Sequence, residues 1–105
     1  MEIKNKADLE KVLSENGNKL IALRFHADWC APCKALENII NDIKNDNVLF
    51  VDVNVDDAEE DFVAESNVRS VPTVLFYKDG LLIDRFTGMI GREALENKIK
   101  ENLAK

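Results

Sequence analysis

Cys30 and Cys33 are the only cysteines in the chain, and Ala31 and Pro32 stand between them. A structural disulfide gains most from closing a long loop. The gap between these two is about as short as a loop can be, so stapling explains the pair poorly and thiol chemistry explains it better. From Cys33 to about Asn45 the apolar residues Leu36, Ile39, Ile40 and Ile43 recur at helical spacing. Pro32 suits a first helical turn, where its missing N–H costs nothing. The pair therefore opens a helix. Unpaired N–H groups and positive partial charge at that end favour thiolate over thiol at Cys30, making it a nucleophile. Cys33, one turn further in, is placed to attack a mixed disulfide on Cys30 and release the partner. Cys30 is expected to be exposed and Cys33 too buried to compete for the first attack.

A metal site is the rival use of the same residues. His26, Cys30 and Cys33 offer three ligands, with Asp28 nearby, but a structural zinc site takes four and the chain has no second Cys/His pair. No metal is expected. His26 reads as a partly exposed neighbour of the site rather than a ligand or base. The acidic run Asp56, Asp57, Glu59, Glu60, Asp61 reads as a solvated helix start, where carboxylates meet the positive end of the dipole.

The remaining pattern supplies a frame for the pair. Ala7 to Asn16 carries Leu9, Val12 and Leu13 at helical spacing, with Gly17 as a stop. Leu20 to Phe25 is an apolar run of the kind covered on both faces in a parallel sheet. Val48 to Val55 is rich in β-branched residues and forms a second central strand, followed by a helix from about Asp57 to Ser66. This is a βαβ unit with the cysteines at its first strand-to-helix junction. Thr73 to Tyr77 and Leu81 to Phe86 flank Lys78-Asp79-Gly80, a hairpin signal, and Glu93 to Asn102 closes the chain as an amphipathic helix. The class is α/β, a central mixed sheet with helices on both faces.

At 105 residues the chain fits one domain, residues 1–105. Hydrophobic residues at 46% and charged residues at 32% suit a folded core with a solvated surface, which sets disorder aside. Lys and Arg number 14 against 20 Asp and Glu, a net charge of −6 that argues against nucleic-acid binding. No window approaches the roughly 18 apolar residues of a membrane span, and the first residues lack a secretory apolar segment, so a cytoplasmic protein is expected.

The chain resembles the thioredoxin family over nearly its full length. The likeness rests on Ala27-Asp-Trp-Cys-Ala-Pro-Cys-Lys34, Asn54-Val-Asp56, Arg69-Ser-Val-Pro-Thr73, Lys78-Asp-Gly80 and Thr87-Gly88, in family order. It implies the thioredoxin fold and a thiol-disulfide oxidoreductase, a protein-disulfide reductase and electron carrier in cell redox homeostasis. Its clients would be disulfide-containing proteins and its recycling partner an NADPH-dependent thioredoxin reductase. The resemblance further implies a monomer, no cofactor beyond the Cys30–Cys33 couple, a cis Pro72 beside the disulfide, and client contacts at Val71, Pro72 and Gly88. Without it, Pro72 reads as an ordinary strand-start proline. Trp29 would cover the site, with core packing as the alternative. The rivals in function are a disulfide oxidase or isomerase, and a binding module docked on a larger enzyme with incidental cysteines.

Ala31, Asn38 and His26 depart modestly from the family pattern. Arg24 departs more: it stands where the family usually has a buried Asp, and Asp52 stands where it usually has Lys. A lone Arg in a doubly covered strand is costly, so the expectation is an Arg24–Asp52 ion pair behind Cys33. The alternative has Arg24 reaching a sheet edge and pairing there with whatever acid is nearest. Arg cannot take the proton that the family's carboxylate is credited with accepting from the resolving cysteine. Asp52 takes over, directly or through water, or resolution proceeds without a base. A cation there also stabilises thiolate, which predicts a potential less negative than about −270 mV, shifted downward in Arg24→Asp.

Overall fold

The computed structural model describes residues 1–105. Its helices are α1 (Lys6–Glu15), α2 (Ala31–Asn41), α3 (Glu60–Glu65) and α4 (Arg92–Leu103). Its strands are β1 (Leu20–His26), β2 (Val48–Asn54), β3 (Thr73–Lys78) and β4 (Leu81–Thr87), in the sheet order β2-β1-β3-β4. β1 runs parallel to β2 and antiparallel to β3, and β3 and β4 are antiparallel, so the sheet is mixed as the sequence predicts.

Alternation along the strands divides the core between the two faces. Ile21, Leu23 and Phe25 of β1 face Leu9 and Val12 of α1 and Phe62 of α3. Leu20 and Ala22 face the other way, with Leu36 of α2 and Leu95 and Ile99 of α4. β1 is buried along its length apart from His26, which is why its sequence lacks a polar stripe. Asp79 (φ 54°) and Gly80 (φ 80°) both take the left-handed conformation that a two-residue hairpin turn asks for.

Two helix boundaries differ from the sequence reading by more than two residues. α2 ends at Asn41 rather than near Asn45, because the Asp42 and Ile43 amides turn back to the carbonyls of Ile39 and Ile40 and tighten the last turn. Ile43 still packs on the core, which explains why it continues the apolar period. α3 begins at Glu60 rather than Asp57, because the Asp57 and Ala58 amides both bond to the Asn54 carbonyl in a turn. The first residues add an element the sequence did not signal: Glu2 bridges Asp52 in parallel, with the Ile3 amide bonding to Asp52 O and the Asp52 amide to Met1 O, both at 2.9 Å. That pairing covers the open edge of β2.

Candidate active site

β1 delivers the chain to the cysteines and α2 leads it away. Cys30 is the N-cap residue of α2: its backbone is extended, and the Cys33 amide donates to Cys30 Sγ at 3.2 Å. Ser, Thr, Asp or Asn would ordinarily occupy such a position, because the cap accepts an orphan N–H; here a sulfur does. Pro32 lies in the first turn, as its missing donor allows. The two sulfurs form a disulfide, with the Cα atoms 5.2 Å apart.

Burial corrects one expectation. Cys30 was expected to be exposed, but it is only 4% exposed in the disulfide against 1% for Cys33. Ala27, Val55 and Val71 pack on the pair, and Cys30 Sγ lies 3.7 Å from the Val71 carbonyl oxygen. The loop before β3 is therefore the roof over the sulfur. The Val71–Pro72 peptide is cis. The Gly88 amide donates to Pro72 O at 2.8 Å, so Gly88 (φ 92°) ties the roof to the end of β4. Neither the N–H nor the C=O of Val71 is used by another backbone group, which leaves both to an extended chain laid alongside.

Trp29 is 71% exposed, so core packing is ruled out for it. Its indole Nε1 donates to Asp56 Oδ2 at 2.9 Å, and it shares a shallow groove of about 210 Å3 with Val55, Val63, Val68, Arg69 and Val71. Asp56 is thus a site neighbour and not part of a helix start. The signal for it was Asn54-Val-Asp56 itself: Asn54 Oδ1 accepts from the Asp56 amide at 3.0 Å, the local turn that a strand-ending Asn favours.

Behind the disulfide, Arg24 is 3% exposed and its Nε donates to Asp52 Oδ1 at 2.9 Å. β1 and β2 place the two directly opposite in register. The guanidinium also donates from one NH group to the Cys33 carbonyl at 3.2 Å, and the other stands 3.8 Å from Glu37. Glu37, on α2, went unsuspected in the sequence. The positions are occupied by an ion pair with the signs the sequence predicts. His26 lines the pocket beside Cys33 and Arg24, and its Nε2 is buried without a partner. No group of three or more His, Cys, Asp or Glu side chains is arranged to hold a metal ion.

A capped, helix-initial cysteine pair under a cis-proline loop, on a four-stranded mixed sheet flanked by helices, defines a thiol-disulfide oxidoreductase of the thioredoxin fold. The thioredoxin family model matches residues 1–101. The chain belongs to the thioredoxin family. It is 40% identical to thioredoxin of Mycoplasmoides gallisepticum over 93% of this chain and 97% of that one, and 38% identical to thioredoxin of Equus caballus over 94% of each. Fasciola hepatica thioredoxin superposes with a TM-score of 0.85 at 34% identity, covering 95% of this chain and 96% of that one. Members of this family are protein-disulfide reductases, and this chain carries their redox-active cysteine pair.

Proposed function

We propose that the Cys30–Cys33 couple carries electrons from an NADPH-dependent thioredoxin reductase to disulfide-bearing client proteins, as a cytoplasmic monomer serving cell redox homeostasis. In this reading the Cys30 thiolate attacks a client disulfide. The client S–S bond breaks, one client sulfur leaves as thiolate and takes a proton from water, and a mixed disulfide remains. Cys33 then attacks Cys30 Sγ, the Cys30–Cys33 bond forms, and the second client sulfur leaves with its electron pair. The dithiol is the whole redox group, and no organic cofactor or metal enters. Clients lie as an extended strand along Val71, Pro72 and Gly88, with Trp29 as the neighbouring wall.

The observation that carries this reading is the Cys33 amide aimed at Cys30 Sγ from the first turn of α2. An N–H held there stabilises the anion more than the thiol and leaves Cys30 the better nucleophile. Insulin reduction coupled to NADPH and thioredoxin reductase tests it. Cys30→Ser and Cys33→Ser are both expected to abolish turnover, and only Cys33→Ser is expected to accumulate a mixed disulfide with the client. Because a serine hydroxyl can still accept the Cys33 amide, Cys30→Ser keeps its helix cap and folds. Normal function with Cys30→Ser would instead favour a binding module.

The buried Arg24 gives the oxidase reading its one support. A cation 3.2 Å from the Cys33 carbonyl favours the reduced, thiolate form. Pairing with Asp52 spends part of that field, so the expected potential is less negative than about −270 mV yet short of the strong oxidants near −120 mV. Equilibration with glutathione measures it. A value at or below the thioredoxin figure removes the role assigned to Arg24.

A further inference from the structure

Before the Cys33 sulfur can attack, its thiol must shed a proton, and the groups around it decide where that proton goes. Cys33 is 1% exposed, and the pocket against it has a volume of about 100 Å3. Since a water takes up about 30 Å3, the pocket has room for a few. Its charged and titratable walls are Arg24 and His26 of β1, Asp28 of the following loop, and Lys34 and Glu37 of α2. Arg24 and Lys34 are cations with no lone pair to offer. Asp52 does not line the pocket, and its Oδ1 is taken by Arg24 at 2.9 Å. Asp28 is exposed and accepts from Asn54 Nδ2 at 3.4 Å, while Glu37 is 52% exposed. His26 differs from all of these: its Nε2 is buried and meets no hydrogen-bond partner within the protein. A buried polar atom in that state calls for an explanation, and an imidazole nitrogen is the acceptor suited to proton transfer near neutrality.

We infer that His26 is the proton acceptor for Cys33: as Cys33 attacks the mixed disulfide on Cys30, its thiol proton passes to Nε2 of the imidazole that walls the same pocket. The inference rests on the dithiol-disulfide reading above. The Cys33–Cys30 bond forms, the Cys30–client bond breaks, and the client thiolate leaves with the electron pair. The imidazolium then returns its proton to solvent. Arg24 and Lys34 face Asp28 and Glu37 across the pocket, and neutral Asn54 sits beside His26 in the β1–β2 register, so the walls carry no net charge that forbids an imidazolium. Asp52, the base suggested by the resemblance to the family, keeps Arg24 paired instead.

The test is stopped-flow reaction of the reduced protein with one equivalent of 5,5′-dithiobis(2-nitrobenzoate). The first aryl thiolate released reports attack by Cys30, and the second reports resolution by Cys33. The wild-type second phase is expected to quicken as the pH is raised from about 5 to about 8. His26→Phe and His26→Gln are expected to slow that phase about tenfold or more at pH 7 and to lose the rise, with the first phase kept within about twofold. Gln can still hydrogen-bond, so its failure to restore the rate separates proton transfer from mere filling of the site. Resolution at the wild-type rate in either folded variant, or a wild-type second phase with no rise in that range, overturns the inference. Absence of the first phase in the wild-type protein overturns the dithiol reading and this inference together.

Discussion

At Arg24 a guanidinium that is almost wholly buried meets two carboxylates of different standing. Asp52 is a direct partner at 2.9 Å and 32% exposed; Glu37 is 3.8 Å away and 52% exposed. A hydrogen bond to a charged group contributes about 1.5–3 kcal/mol, and an exposed ion pair about 0–1. Asp52→Ala is therefore expected to cost about 2 kcal/mol in urea denaturation, discounted for the solvent that reaches Asp52, and Glu37→Ala about 0.5 or less. Equal losses from the two would show that the register pair does not anchor the cation. This pair was legible because the resemblance to the thioredoxin family marks the two positions as ones of exchanged sign on adjacent strands, and a buried Arg needs an acid beside it. The unpartnered nitrogen of His26 was not legible, because it depends on side-chain direction at the end of β1. The same holds for Asp56, whose place in an acidic run hid its bond to Trp29.

Among the elements, α4 is held to β4 by a small polar cluster. Lys98 Nζ donates to Asp84 Oδ2 at 3.0 Å, and Asn102 Nδ2, from a fully buried residue, donates to the same oxygen at 2.9 Å. Burial works to raise the Asp84 carboxyl, but the hydrogen bonds from Asn102, Lys98 and the Arg85 amide, with the charge of Lys98, outweigh it and hold the group below its ordinary value of 3.8. The unfolded chain then takes up this proton at higher pH than the folded one. The stabilisation is full above the ordinary carboxylate range and is lost as pH falls through 3.8 and on through the folded value. Asp84→Ala is expected to cost about 1–2 kcal/mol at pH 7, with the gap to wild type closing below about pH 4. A gap that persists unchanged at pH 3 would assign the loss to packing. Strand and helix types were readable from periodicity, and the hairpin from Asp79-Gly80. The end of α2 and the start of α3 were not, because Ile43 keeps the apolar period after the helix has tightened and the acids before Glu60 imitate a helix start. The bridge at Glu2 had too few residues to show any period.

Over the whole molecule the net charge of −6 acts on any client before contact. The groove beside the disulfide mixes signs locally: Arg69 lines it, and Asp56 accepts from the Trp29 indole at its edge. Near neighbours of opposite sign cancel at a distance, so the approaching client feels the molecular charge and then reads the local pattern only on docking. A cationic disulfide peptide should be captured faster than an anionic one of the same length at low ionic strength. Raising salt from about 0.01 M to about 1 M shortens the Debye length from about 30 Å to about 3 Å and removes the difference. The expected outcome is kcat/KM for the cationic peptide falling about tenfold over that range and for the anionic peptide rising, with kcat moving little, since steering changes encounter rather than exchange. The reverse order, with the anionic peptide losing kcat/KM as salt rises and the cationic one gaining it, would mean that the field at the groove is set by Arg69 and its neighbours. In that case Arg69→Gln, and no surface charge remote from the groove, would change the order of client preference.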